Sequence, residues 1–178
     1  MDYRKGSIMK NVSSLSFIAL ITALLLSGCL EPITTVGQAI LVAEANGTIP
    51  KLNHDDTIAG PDTDKNGIRD DIDAYIATLP YTDVQKKAVQ QDARVLATTL
   101  TVDKTDKVAL VSVGEKMARA VNCIHDQFPA GTGQASKLSA DNEKMIVNTK
   151  ARFMEYEKYN SARSGSVMSL PDGDTCDK

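Results

Sequence analysis

The feature that most restricts the fold of this chain is the spacing of its apolar residues from residue 68 onward. Ile68, Ile72, Tyr75 and Ile76 follow one another at steps of four, three and one, and similar spacing returns in three later segments. Such spacing places apolar side chains on one face of an α-helix, whereas a half-buried strand would alternate. The sequence therefore predicts an all-α fold, a small antiparallel helical bundle whose domain covers residues 68–166.

Four helices are predicted in this domain, one short and three longer. The short helix ends before Pro80, and Thr82 with Gln85 forms a capping box that begins the second. The predicted bounds are about 68–79, 82–100, 105–125 and 139–162, with a Pro- and Gly-containing break before the last. Short connections between helices favour antiparallel neighbours.

The segment DTDKNGIRDDID, residues 62–73, carries five Asp residues directly before and within the first helix. Like charges this close repel one another, which predicts a cation among them. Calcium takes six to eight oxygen ligands at about 2.3–2.6 Å, and short Asp side chains in a tight loop can supply them. With Gly67 at the sharp turn, the predicted ligands are Asp62, Asp64, Asn66, the Ile68 carbonyl, Asp70 and Asp73.

This loop resembles the thrombospondin type 3 calcium repeat, D-x-D-x-D-G-x-x-D-x-x-D, with Asn66 in place of the middle Asp. An EF-hand loop differs, because its apolar residue is the eighth and its twelfth is usually Glu. The resemblance implies Ca²⁺ binding, with Mg²⁺ as the alternative ion. Family loops occur in tandem, and a single copy leaves water, Asp55 or Asp56 to complete the site. The alternative without an ion is a solvated acidic turn that caps the first helix.

The N-terminus predicts export and lipidation. Three basic residues precede an uncharged apolar run at residues 15–26, which has the length of a secretory signal. The following LSGC, residues 26–29, resembles the lipobox of bacterial lipoproteins, which implies removal of residues 1–28 and a lipid on Cys29. An ordinary signal peptide or a membrane anchor is the alternative. Leu30 follows Cys29, and by the same resemblance this favours the outer membrane of a two-membrane cell envelope.

Residues 29–61 are predicted to form an extended, lipidated tether, in which residues 39–45 form a short strand or helix. The remaining cysteines, Cys123 and Cys176, make an even pair in an oxidising compartment, so we expect a disulfide that ties down the tail at residues 167–178. The alternatives are two free thiols, or a nucleophile or metal ligand at Cys123 near His125.

Composition and missing motifs restrict the function. Residues 1–28 hold three of the 20 basic and one of the 23 acidic residues, so the mature chain has 17 and 22, a net charge of −5. No basic patch with interleaved aromatic residues appears, so nucleic acid is not an expected partner.

The sequence contains no G-x-S-x-G, no H-E-x-x-H and no Gly-rich phosphate loop. We therefore expect a non-enzymatic, calcium-binding envelope lipoprotein, held on the membrane by its lipid, whose helical domain binds an envelope protein or has a structural role. The alternative is an envelope hydrolase whose site carries no recognisable motif.

Overall fold

A computed structural model describes residues 32–169 and 171–178, with side chains from residue 37 onward, and these residues form helices and loops with no strand among them. The predicted all-α class and the helical bundle are confirmed, and Val36–Lys178 forms one compact unit. The predicted signal peptide and Cys29 lie outside the described residues. Within the described part, no helix combines the length and apolar character needed to cross a bilayer. The helices are α1 (Pro32–Ala45), α2 (Asp70–Thr78), α3 (Asp83–Thr101), α4 (Lys107–Gln127), α5 (Gln134–Ile146) and α6 (Lys150–Arg163).

Helix α3 is the centre of the bundle, because it contacts α2, α4, α5 and α6. It begins at the predicted capping box, which is confirmed: the Thr82 hydroxyl accepts from the Gln85 N–H at 3.3 Å, and the Gln85 side-chain oxygen accepts from the Thr82 N–H at 3.1 Å. Such a box satisfies two backbone donors that the first turn of a helix cannot pair internally.

The main apolar core lies between α2, α3, α4 and α5. Ile68, Ile72 and Ile76 are 1%, 0% and 0% exposed, so the spacing that predicted α2 also identified its buried face. Met145 and Ile146, at the end of α5, are buried in the same cluster. Burying a side chain of this size contributes roughly 1.5–3 kcal/mol relative to leaving it in water.

One carboxyl group is buried inside this bundle, at the junction of α3 and α5. Asp92 is 0% exposed, and it accepts hydrogen bonds from the Ser139 hydroxyl at 2.9 Å and from the Asn142 amide at 2.8 Å. Burial raises the pKa of Asp92 above its ordinary value, because both partners are neutral and only partly replace water.

The prediction of one fourth helix over 139–162 is wrong, since α5 ends at Ile146 and α6 begins at Lys150. The Thr149 hydroxyl accepts from the Arg152 N–H at 3.2 Å and caps α6. Helix α5 also begins earlier than predicted, directly after Gly133, whose φ of 70° is left-handed. Asn148 and Thr149 lie between the two helices, and Asn and Thr favour helix caps over helix interiors, so these two residues were the sequence signal for the break.

The prediction of an extended tether at residues 29–61 is wrong for much of its length. Pro32–Ala45 is helical, and the side chains of Ile40 and Leu52 are each 5% exposed. Ile49 and Ile58 pack against the same core. The free energy gained by burying these apolar side chains exceeds the conformational entropy that the segment would keep if it remained free in solvent.

The connection from α1 to the Asp-rich loop is held by Arg152, whose side chain is 0% exposed. Its guanidinium donates to the carbonyls of Asn53 at 2.7 Å and Thr57 at 2.9 Å, and to the Asp55 carboxylate at 3.0 Å. Burial, and next the positive charge of Arg69, lower the pKa of Arg152. The planar group nevertheless remains charged, and its five donors match the carbonyls of a chain that turns around it.

Replacing Arg152 by Met is expected to lower the free energy of unfolding by about 3 kcal/mol, because buried carbonyl groups lose their donors. Urea denaturation followed by circular dichroism measures this. Lys158→Met is the matched control on the same helix, where a side chain 59% exposed pairs with Glu155. We expect that change to cost less than about 1 kcal/mol. Equal losses in the two variants would contradict a structural role for the buried guanidinium.

Candidate metal centre

A backbone hydrogen bond closes the Asp-rich loop. The Asp70 N–H donates to the Pro61 carbonyl at 2.9 Å, which joins the residue before the loop to the first residue of α2. Between these points the buried Ile68 side chain fixes the loop to the core. Lys65 and Gly67 adopt left-handed φ angles of 58° and 84°, and these two reversals make the loop tight.

Three of the predicted ligands converge in this loop. One carboxylate oxygen from each of Asp62, Asp64 and Asp70 lies within 4.8 Å of the other two. Two oxygens on opposite sides of one calcium ion, each bound at about 2.4 Å, are separated by about 4.8 Å. The three carboxylates are therefore close enough to share a single ion.

Each converging carboxylate is oriented by a hydrogen bond from a neighbouring residue. Asp62 accepts from the N–H groups of Asn66 at 3.1 Å and Gly67 at 2.9 Å, and Asp64 accepts from the Asn66 side-chain amide at 3.0 Å. Asp70 accepts from the Thr63 N–H at 2.9 Å and from its hydroxyl at 2.7 Å. These two bonds lower the pKa of Asp70, the backbone donor contributing more. An ionised carboxylate has about four acceptor sites, so these bonds leave room for a cation.

Of the other predicted ligands, Asn66 and Asp73 have partners within the protein. The Asn66 amide nitrogen donates to Asp64 and, at 3.1 Å, to Asp73, while its side-chain oxygen accepts from the Ile68 N–H at 2.8 Å. Asp73 also accepts from the Gln90 amide at 2.7 Å, which turns it toward α3. Asp73 is thus not part of the converging group, and the Asn66 side chain donates its amide to Asp64 and Asp73.

Asp55, considered as an additional ligand, has a different partner. Its carboxylate accepts from Arg152 at 3.0 Å and from the Thr57 hydroxyl at 2.5 Å. The Thr57 side chain makes the largest contribution to lowering the pKa of Asp55. Asp55 therefore neutralises the buried arginine and is not among the three converging carboxylates.

Sequence reasoning missed Arg94, which fixes the middle of the loop. Its Nε donates to the Asn66 carbonyl at 2.7 Å, and its Cγ lies 3.0 Å from where a Cβ on Gly67 would be. Gln90 and Arg94 are four residues apart, so they share one face of α3. Their spacing signals a polar face of a helix, but the sequence gives no indication that this face meets residues 66 and 73.

The disulfide between Cys123 and Cys176 is present, as predicted, with their Cα atoms 4.9 Å apart. It joins the last helical turns of α4 to the C-terminal tail. Cys123 is 0% exposed and its sulfur is bonded, so in this structure it is not a free nucleophile or a metal ligand.

Comparisons of this chain with protein-family models, with curated proteins and with solved structures found no match. Its function is therefore argued from the chemistry of the loop and of the N-terminal sequence.

Replacing Gly67 by Ala is expected to destabilise the fold by about 2 kcal/mol, because an L-residue resists the left-handed φ and the new Cβ meets Arg94. Gly131→Ala is the matched control: its φ is 76°, but open space surrounds the added Cβ. That variant should lose only the free energy that an L-residue costs in a left-handed conformation, about 1 kcal/mol. Urea titrations of both compare them directly, and equal losses would show that Arg94 does not press on the loop.

Proposed function

We propose that this chain is a lipid-anchored, calcium-binding protein of the bacterial cell envelope, with a helical domain that has a non-enzymatic binding or structural role. The observation that carries the calcium part is the convergence of Asp62, Asp64 and Asp70 within one tight loop. Calcium prefers carboxylate oxygens in a flexible arrangement of six to eight ligands, and water can complete such a set.

Calcium fits this loop better than a smaller ion does. Mg²⁺ requires nearly ideal octahedral geometry at about 2.0–2.1 Å and retains several waters, whereas calcium tolerates irregular carboxylate sets. The spacing of Asp62, Asp64 and Asp70, which resembles a thrombospondin type 3 repeat, favours the same ion. Mg²⁺ remains the competing ion in any measurement.

The position of the loop suggests what the ion does. The loop directly precedes α2, and its residues contact α3 through Gln90 and Arg94. A bound cation would offset the repulsion among the carboxylates and so hold the start of α2 against α3. At free calcium ten times the dissociation constant, one site stabilises the folded state by about 1.4 kcal/mol.

The envelope part of the proposal rests on the sequence of residues 15–29. An apolar run that ends in LSGC predicts lipidation at Cys29, and Leu30 favours the outer membrane by resemblance. The Cys123–Cys176 disulfide supports an oxidising compartment, because such bonds are rare where thiols are kept reduced. The domain would then act on the membrane surface, through contact with another envelope protein or as a structural element.

Calcium is expected to raise the melting temperature of the chelator-treated protein by roughly 3–6 °C at ten times its dissociation constant. The double variant Asp62→Asn/Asp64→Asn should lose this shift. Asp126→Asn/Asp172→Asn is the control, since it removes two exposed carboxylates outside the loop. Calorimetric scans with Ca²⁺ and with Mg²⁺ measure both ions. No shift of the wild-type protein at millimolar calcium would end the metal proposal.

Intact-mass spectrometry of the detergent-extracted mature protein tests the anchor. We expect an N-terminus at Cys29 that carries acyl chains, because the lipobox directs both cleavage and thioether formation. In Cys29→Ala the acyl mass should disappear, and residues 1–28 should stay attached because cleavage also depends on the lipobox. A wild-type N-terminus at another residue, without lipid, would refute the anchor and leave the calcium result unaffected.

A further inference from the structure

The C-terminal tail is held on α3 by a reciprocal pair of hydrogen bonds from one side chain. The Gln91 amide nitrogen donates to the Thr175 carbonyl at 3.0 Å, and its side-chain oxygen accepts from the Asp177 N–H at 2.9 Å. Thr175 is 1% exposed, and the next residue, Cys176, is bonded to Cys123. Residues 175–177 therefore have one defined position against α3.

Arg94 connects this tail to the Asp-rich loop. It lies three residues after Gln91 on α3, and its Nη1 pairs with the Asp177 carboxylate at 3.0 Å. The Nε of the same guanidinium donates to the Asn66 carbonyl at 2.7 Å, and the side chain packs on Gly67. One planar group thus bridges two segments that are more than a hundred residues apart in sequence.

This bridge depends on its Asp177 end, because Arg94 is partly exposed. The Arg94 side chain is 37% exposed and the Asp177 side chain 59%, so neither is fixed by burial. A long exposed side chain loses rotamer freedom when it is ordered, and two partners in fixed places offset that loss better than one hydrogen bond does. The disulfide keeps that second partner in place.

We propose that the C-terminal tail positions the Asp-rich loop. The disulfide places Asp177, Asp177 orients Arg94, and Arg94 holds residues 66 and 67 in position. The amides of Asn66 and Gly67 orient the Asp62 carboxylate, so the tail controls the arrangement of a converging oxygen. Asp177 also offsets the positive charge of Arg94, which would otherwise repel a cation. The consequence for affinity rests on the proposed calcium function, whereas the positioning itself does not.

Hydrogen exchange in calcium-free protein tests the positioning without any ion. The reporters are the amides of residues 66, 67 and 68, which donate to side chains of the loop. In Asp177→Asn we expect these amides to exchange about fivefold faster, as loss of roughly one hydrogen bond predicts, while α4 amides are unchanged. Arg94→Gln should give the same pattern.

Two control variants separate this effect from loss of charge or of tail contact. Asp172→Asn removes the same charge from the exposed part of the tail. Arg119→Gln removes a basic side chain that touches the tail at the Asp174 carbonyl. Neither should change the three reporters. Unchanged reporters in Asp177→Asn, or faster exchange throughout the bundle, would overturn the proposal.

Cys123→Ser/Cys176→Ser extends the test to the disulfide. The urea midpoint shows whether this variant is folded, and in the folded variant the three reporters should exchange at least as fast as in Asp177→Asn. Protection equal to that of the wild type would show that the disulfide does not place Asp177, and the first link of the proposal would be wrong.

Calcium titration calorimetry gives the functional consequence. Asp177→Asn should bind Ca²⁺ about tenfold more weakly than the wild type, the lower end of the loss that removal of an outer partner produces, because Asp177 acts through Arg94. The loss should persist at about 0.5 M salt, where exposed charges are largely screened. A loss confined to low salt would reduce the effect to charge and overturn the positioning role. No binding by the wild type would contradict the calcium function alone, because the exchange experiment contains no ion.

Discussion

Two buried guanidinium groups determine how the N-terminal segment lies on the bundle. Arg152 is 0% and Arg69 is 3% exposed, and they are close enough for each positive charge to disfavour the other. Two buried positive charges require negative charges nearby. Asp71 pairs with Arg69 at 2.6 Å, and Asp55 pairs with Arg152 at 3.0 Å. Removing either acid would leave a buried charge unpaired, which costs far more than the pair itself contributes.

The Asp-rich loop depends on Arg69 as well, because this arginine contacts the segment just before the loop, while Arg94 contacts the loop itself. On its N-terminal side, Gly60 approaches Arg69 so closely that a Cβ would lie 2.3 Å from the Arg69 Cδ. On its other side, Arg94 binds the Asn66 carbonyl. Arg69 thus contacts the chain at Gly60, and Arg94 contacts it at Asn66 and Gly67. The conformation of the loop depends on these tertiary contacts as well as on hydrogen bonds within the loop.

The sequence predicted features whose causes are local. Ile72 and Ile76 share one face of α2, Ile68 continues their spacing from the loop before it, and the Thr82 capping box involves residues three apart. The disulfide was also predictable, because only one pairing of the remaining cysteines was available. The break at Asn148 had a local signal as well, since Asn and Thr favour caps, but helical spacing on both sides of it concealed that signal.

Features with distant causes could not be predicted in the same way. Nothing near Arg152 in sequence indicates that it will bind carbonyls almost a hundred positions earlier, and so the sequence predicts a tether over residues 29–61, which include those carbonyls. The candidate site divides in the same manner. The convergence of Asp62, Asp64 and Asp70 follows from loop spacing, whereas the orientation of Asp73 follows from Gln90 on another helix.

The orientation of Asn66 has a consequence for how an ion would enter the loop. Its amide nitrogen donates to both Asp64 and Asp73, and this shared donor offsets part of the repulsion between two carboxylates. A cation that took the Asn66 oxygen as a ligand would require the amide to turn, which would release Asp73 and break the bond from the Ile68 N–H. A cation bound by Asp62, Asp64 and Asp70 alone would leave that network intact. Under the proposed calcium function, this network favours a few carboxylates and water over a coordination shell made wholly of protein oxygens, and such a site would be weak.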